Sequence, residues 1–351
     1  MNVSKFLIMH NANIREAIKL MDRGGMGFIC VTNESNEVIG VVTDGDFRRS
    51  ILNEVNLDLP IQNIINKNYK FLIEGYSLEE AKELFLKSTI RHIPILNKNK
   101  NLVEILIKEK TINATNYVEK ERLDIDVVIM AGGKGTRLDP FTRILPKPLI
   151  PIGEKTILET IIEKFLDYHI DKFYISVNHK AGIIKSYFND IQPNYELNYI
   201  FEDKPLGTIG ALKQLENKID RDILLTNCDI LIDADYSDLI KHHSNSGNDI
   251  TIVTSLKHYK IPYGICEIEN GGQLIGIREK PEYDLLVNTG MYVLNPKVLK
   301  HIPLNEFFHI THLIDKIRNT HKIGVFPISE NSWTDTGEWS EYKKAIAKVG
   351  F

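Results

Sequence analysis

The residues best equipped for chemistry lie in one run, GGKGTRLDPFTRILPKPLIP, at positions 132–151. The glycines after Ala131 (Gly132, Gly133 and Gly135, with Thr136 next) let the backbone approach a ligand closely and turn N–H groups toward an anion. Arg137 can fork to phosphate oxygens, and Lys147 adds a point charge held between Pro146 and Pro148. The glycine order fails the dinucleotide-binding fingerprint and lacks the Gly-Lys-Ser/Thr ending of a P-loop. An anion-binding loop of another kind is expected.

The elements around it say how such a loop would be carried. Asp126–Met130 reads as a short buried strand running straight into the glycines. Beyond it, apolar strands (173–177, 197–201 and 223–227) follow amphipathic helices at 157–169, 181–189 and 209–216. Strands spaced by helices predict an α/β domain with a mostly parallel, Rossmann-like sheet covered on both faces. In such sheets the ligand sits beyond the carboxyl ends of the strands, where this loop begins.

The spacing of Gly-x-Gly-Thr-Arg and Pro-Lys-Pro makes residues 124–351 resemble the sugar nucleotidyltransferases (pyrophosphorylases), whose fold is GT-A-like. The resemblance implies transfer of a nucleoside monophosphate from an NTP to a sugar 1-phosphate, with release of pyrophosphate and Mg²⁺ as cofactor. In that reading Ala131, Gly132, Gly133, Gly135 and Thr136 cradle the nucleotide. Arg137 binds the triphosphate and the leaving group, and Lys147 neutralises the α-phosphate and the incoming phosphate. Asp229, ending the run LLTNCD, and Asp335, in WTDTGE, match the two metal carboxylates, a hard-oxygen set suited to Mg²⁺. The sugar phosphate is already an anionic nucleophile, so positioning and electrostatics are the main catalytic devices. Gly264, Glu279 with Lys280, and Asn288 with Thr289 match segments that contact the sugar and its phosphate.

The segment EDKPLGTIGAL at 202–212 matches the base-binding loop, with Gly207 and Thr208 admitting the nucleotide. Uridylyl- and thymidylyltransferases of the family generally carry Gln where this chain has Glu202. An ionised carboxylate offers only acceptors, whereas guanine presents two adjacent donors on its Watson–Crick edge. GTP is therefore the expected donor. A solvent-facing strand end is the alternative reading of Glu202.

The first third contains an internal repeat. Helix, strand and strand recur, with Ile14, Ala17 and Ile29 matching Leu78, Ala81 and Ile93, 64 positions on (14 to 78, 17 to 81, 29 to 93). Ser77 is the expected N-cap of the second helix, with Glu80 closing a capping box. Two small α+β units of this kind should pack on one another. The pattern resembles a tandem pair of CBS domains over residues 1–115 (1–58 and 59–115), with 116–123 as a linker. In CBS domains Gly-x-x-Thr-x-x-Asp serves an adenosine nucleotide. The first repeat keeps it as Gly40, Thr43 and Asp46, while the second has Leu106 and Glu109 at the positions expected to match. An adenine nucleotide effector and a structural, dimer-forming role both stand open; assembly through CBS helices implies a homo-oligomer. His92 is expected to be a packing residue.

Composition bounds the rest. The 351 residues are 43% hydrophobic and 26% charged with a net charge of −4, the profile of a globular protein with no footprint for nucleic acid. Three scattered cysteines give neither a disulfide framework nor a zinc site. No apolar leader or membrane-length run stands out, so a cytoplasmic protein without membrane contact is expected. Hexapeptide repeats are absent from these residues, so no acyltransferase helix is expected. A CBS pair fused before such a transferase resembles the glucosamine-1-phosphate guanylyltransferases of bacterial legionaminic acid biosynthesis. The competing readings are a uridylyl-, thymidylyl- or cytidylyltransferase of the same family and a catalytically silent subunit that senses nucleotide sugars.

Overall fold

The computed structural model describes residues 2–112 and 120–349, and these two segments form two compact units. Of the expected linker, 116–119 lie outside the described residues, as do 113–115 of the N-terminal module. Residues 120–123 pack on the second unit rather than linking to it. Leu123 N–H donates to Tyr168 O at 3.2 Å, Lys120 pairs with Asp167 at 3.0 Å, and Glu121 with Lys241 at 2.7 Å. No helix among the described residues is long and apolar enough to cross a membrane.

In the first unit the repeat is explicit. Its first half runs β1 (Leu7–Met9), α1 (Ile14–Gly24), β2 (Phe28–Thr32), β3 (Val38–Thr43) and α2 (Asp44–Leu52). The second runs β4 (Leu72–Ile73), α3 (Leu78–Leu86), β5 (His92–Leu96), β6 (Leu102–Ile107) and α4 (Lys108–Ile112). In each half the first strand is parallel to the second and the second antiparallel to the third. Ala17 and Ala81, and Ile29 and Ile93, are fully buried in both halves. Ile14 is also buried, but Leu78 is exposed. The difference follows from residues 57–61, which close over the first helix and bond Ile14 N–H to Leu59 O at 2.9 Å.

Strand register corrects one expected correspondence. Phe28 pairs with Thr43 and His92 with Ile107, and both hairpins carry an irregularity at the same place, Val31/Thr32 and Ile95/Leu96. The counterparts of Thr43 and Asp46 are therefore Ile107 and Lys110, one residue beyond Leu106 and Glu109. Neither can replace the hydroxyl or the carboxylate. The two halves share a core in which Phe28, Cys30 and Val41 meet Leu96, Leu102 and Ile105. At its edge the equivalent rings of Phe28 and His92 stack at 5.0 Å, and burial lowers the His92 pKa to about 4. Ser77 caps α3 through Glu80 N–H at 3.1 Å, but among the described residues Glu80 does not return the bond, so only half the expected box forms.

The second unit centres on a seven-stranded sheet, preceded in part by the small hairpin β8 (Pro151–Ile152) and β9 (Lys155–Thr156). Its members are β7 (Asp126–Met130), β10 (Lys172–Val177), β11 (Glu196–Phe201), β12 (Ile223–Asn227), β14 (Ile250–Lys260), β17 (Glu282–Leu294) and β18 (Ile323–Ile328), in the order β11-β10-β7-β12-β17-β14-β18. The first four are mutually parallel; β17 runs antiparallel to both neighbours. Alternation along β7 sends Val127 and Ile129 into one core and Val128 and Met130 into the other, so both faces are covered. Helices α5 (Ile157–Leu166), α6 (Ala181–Ile191), α7 (Tyr236–Ser246), α8 (Ile310–Ile317) and α9 (Trp339–Val349) supply those covers. The expected helix at 209–216 is instead a 3₁₀ segment, Gly210–Leu215. Gly210 opens it where the backbone of Glu306 approaches so closely that a Cβ would lie 2.8 Å from its carbonyl. Three short pairs complete the unit: β8 with β9, β13 (Ile230–Ile232) with β19 (Trp333–Asp335), and β15 (Ile265–Ile268) with β16 (Leu274–Arg278).

Candidate active site

The glycine loop leaves β7 with Ala131 N–H bonded to Ser176 O at 2.9 Å. Gly135 takes φ +68°, and a Cβ there would stand 2.9 Å from the Lys147 Cβ, so this glycine makes room for the lysine stem. Gly133 borders open space, and Thr136 begins the 3₁₀ turn Thr136–Leu138. Lys147 is only 8% exposed, and its ammonium pairs with Asp229, itself 7% exposed.

Distant aspartates meet because β13 and β19 pair antiparallel, with Ile230 opposite Asp335. Thr336 secures the junction, donating its N–H and hydroxyl to Asp229 O at 2.8 and 2.9 Å. Gly337 lies at the centre. A Cβ on it would stand 2.6 Å from Asp229 Oδ2, 2.6 Å from Lys147 Nζ and 2.8 Å from Asp335 Oδ1. Arg137 Nη1 is 4.0 Å from Asp335 and 2.5 Å from Glu338. The structure thus brings Arg137, Lys147, Asp229 and Asp335 together, and adds Glu338, which sequence reasoning missed although it closes the WTDTGE run. Burial, and then the Asp229 carboxylate, push the Asp335 pKa above the usual carboxylate range. The bond to Glu338 raises that of Arg137.

The outer part of the loop is tied down from two sides. Lys180 Nζ donates to the carbonyls of Thr142 and Arg143 at 2.8 and 2.7 Å. From α9, Trp339 Nε1 donates to Asp139 O at 3.2 Å, and Tyr342 hydroxyl to Pro151 O at 2.6 Å.

Glu202 does not end its strand in solvent; it is 8% exposed. Its Oε2 accepts Leu206 N–H at 2.9 Å and its Oε1 accepts the Ser176 hydroxyl. A Cβ on Gly132 would stand 2.9 Å from Oε1, so the first loop glycine touches the Glu202 carboxylate. Gly207 has φ +79°, and its Cβ position would fall 2.6 Å from Phe308 O. Packing alone therefore demands glycine there. Thr208 N–H donates to His309 Nδ1 at 3.3 Å, and its hydroxyl accepts Ile310 N–H at 2.9 Å. His309 thus carries its ring proton, if neutral, on Nε2. No local sequence signal joins it to a loop about a hundred residues earlier.

The remaining residues sit on the long β14–β17 ribbon and its extension. Gly264 and Glu279 adjoin, with a Cβ on the glycine 2.9 Å from Glu279 Oε2. Glu279 and Lys280 are exposed and lie 3.8 Å apart. Asn288 Nδ2 donates to the Tyr292 hydroxyl at 2.7 Å. Thr289 is buried, its hydroxyl donating to Val253 O at 2.8 Å where β14 is irregular.

Residues 126–350 match the sequence profile of the nucleotidyl transferase family, and residues 5–53 that of the CBS domain. The chain belongs to the nucleotidyl transferase family and carries a CBS domain near its N-terminus. A UTP–glucose-1-phosphate uridylyltransferase of Synechocystis is 30% identical over 246 residues, 63% of this chain and 62% of its own length. The bifunctional protein GlmU of Methanococcus maripaludis is 36% identical over 224 residues, 61% of this chain and 51% of its own length. This chain therefore spans between about half and somewhat under two thirds of these curated relatives. Among solved structures, HddC from Yersinia pseudotuberculosis aligns with a TM-score of 0.51 at 29% identity, over 64% of this chain and 99% of its own.

A divalent cation fits the donor set. Asp229 and Asp335 bring hard oxygens, the kind Mg²⁺ prefers, close together beside Gly337. Asp229 Oδ2 now accepts from the Lys147 ammonium and Asp335 Oδ1 from Gly337 N–H, so a metal would use their remaining acceptor positions. Among the described residues no three His, Cys, Asp or Glu side chains form a complete cage, so phosphate oxygens and water would supply the other ligands.

Proposed function

We propose that the second unit transfers a nucleoside monophosphate from an NTP to a sugar 1-phosphate. An oxygen of the sugar phosphate attacks the α-phosphorus, the bond to the β-phosphate bridging oxygen breaks, and pyrophosphate leaves. The observation that carries this reading is the convergence of Lys147, Asp229 and Asp335 on Gly337, with Arg137 alongside. A Mg²⁺ ion held by Asp229 and Asp335 would offset charge on the triphosphate and its leaving group. Lys147 lowers the repulsion between the two anions, and Arg137 exchanges Glu338 for phosphate oxygens. The backbone of 131–136 lines the nucleotide, while Gly264, Glu279, Lys280 and Asn288 take the sugar and its phosphate, with Thr289 shaping the strand beneath them.

GTP is the proposed donor. A buried Glu202 presents acceptors only, which suits the guanine N1–H and N2 amine and repels the acceptor beside a donor on every other base. Glucosamine 1-phosphate is the proposed acceptor, resting on the fused architecture alone. A matrix of NTPs against hexose 1-phosphates, read by pyrophosphate release, tests both choices. The account expects the largest signal with GTP; no turnover on any pair would favour the sensing subunit instead.

For residues 1–115, taken as a tandem CBS pair, we propose a structural role. Thr43 and Asp46 cap α2 reciprocally: Asp46 Oδ2 accepts the Thr43 N–H at 2.8 Å and hydroxyl at 2.7 Å, and Arg49 pairs with its other oxygen. Both side chains thus have work without a nucleotide. Calorimetric titration with AMP and ATP tests this; binding abolished by Asp46→Asn would restore the effector reading.

A further inference from the structure

Glu202 is held at four points. Its N–H donates to Val177 O at 3.0 Å, and its carbonyl accepts from Asn178 Nδ2 at 2.6 Å. Oε2 accepts from Leu206 N–H at 2.9 Å, and Oε1 from the Ser176 hydroxyl. Ser176 is fully buried in β10, and its carbonyl receives the Ala131 N–H at the start of the glycine loop. One serine therefore joins the carboxylate, the sheet and the phosphate loop. Among the described residues no cation pairs with Glu202, despite its burial.

A buried carboxylate without a counter-charge is stable only where donors surround it. Two oxygens offer about four acceptor positions, and the protein's donors take two of them. Gly132, lacking a Cβ, leaves Oε1 uncovered on the side of the glycine loop; any side chain there would close it. We infer that Ser176 is a positioning residue for base selection: with Leu206 N–H it fixes the Glu202 carboxylate so that its two unfilled acceptor positions face a base edge bearing two adjacent donors. Loss of the hydroxyl frees the carboxylate to rotate and to admit other edges.

This rests on the reading of Glu202 as the base-contacting residue, and the test separates the two. Dissociation constants of GTP and UTP are measured by calorimetry with Mg²⁺ for the wild-type chain, Ser176→Ala, Ser176→Cys, Glu202→Gln and the double variant Ser176→Ala/Glu202→Gln. Ser176→Ala is expected to reduce the GTP-over-UTP preference about tenfold, within the range seen for base-edge contacts. Ser176→Cys, with a weak donor of similar shape, should fall between it and wild type. In the double variant the serine change should add nothing to Glu202→Gln. A wild-type ratio in Ser176→Ala, beside a lowered ratio in Glu202→Gln, overturns the role of Ser176 and leaves the base reading intact. An unchanged ratio in Glu202→Gln overturns both. Should Ser176→Ala fail to fold, Ser176→Cys decides: an unchanged ratio there counts against the serine.

Discussion

The two ends of the candidate site are built differently. At the end proposed for the nucleotide Lys147, Asp229 and Glu202 are buried, and backbone bonds tie Asp229 to Thr336 and Glu202 to Val177 from distant segments. At the end proposed for the sugar Glu279 and Lys280 stand in solvent, and Tyr263 beside Gly264 is 73% exposed. Electrostatic stabilisation of a reacting phosphorus needs groups fixed before the reaction, since reorganising them would consume the benefit. Recognition of a sugar tolerates an open surface that the ligand itself completes. The contrast teaches that the proposed chemistry and base selection are invested in the rigid end and sugar recognition in the open one.

Substitutions can break or sharpen that contrast. Asp229→Asn should bring the largest loss, about a thousandfold or more in pyrophosphate release, because it removes a proposed metal carboxylate and leaves Lys147 without its partner. Glu202→Gln should shift the GTP-over-UTP ratio of kcat/KM by about tenfold with little change in the sugar-phosphate KM. Glu279→Gln and Lys280→Ala should do the reverse, raising the sugar-phosphate KM by roughly three- to tenfold, as loss of solvent-exposed polar contacts does, and sparing the NTP. An equal effect on both substrates would erase the division between the ends.

Smaller effects are expected in the first unit. His92 titrates near 4 when folded, below its ordinary value of 6.5. The unfolded chain then binds the extra proton between those limits, so the contribution to stability is full above 6.5 and is lost as pH falls toward 4. Hydrogen exchange of β2 and β5 in the full chain, compared at each pH with His92→Phe, should show the wild type losing protection faster as pH drops. Thr43→Ala should cost about 1 kcal/mol through the lost cap of α2, measured as a lower denaturation midpoint.

Much of this was legible because some physical signals are local. The apolar run 126–130 had to be a strand covered on both faces, and the alternate residues of β7 do enter two cores. The repeat showed in the spacing of Ala17, Ala81, Ile29 and Ile93. What escaped depended on contacts between distant segments. The antiparallel β17 and its long ribbon with β14 left no periodic mark, and Gly210 took a 3₁₀ turn because Glu306 presses on it. Gly207 read as a place of ligand approach, yet Phe308 already explains it. A serine within the apolar strand 173–177 was a visible hint of a buried polar partner; only the fold shows that the partner is Glu202.

The convergence on Gly337 is open to one direct measurement. The atoms a methyl group would displace there are the tips of Asp229, Lys147 and Asp335, not backbone, so Gly337→Ala should fold while its polar groups move apart. Pyrophosphate release by Gly337→Ala, with the thermal midpoint followed in parallel to show that the chain still folds, should fall about a hundredfold, since displacements of about an ångström carry that penalty. Turnover within a few-fold of wild type in the folded variant would contradict the assembly of these residues around one triphosphate.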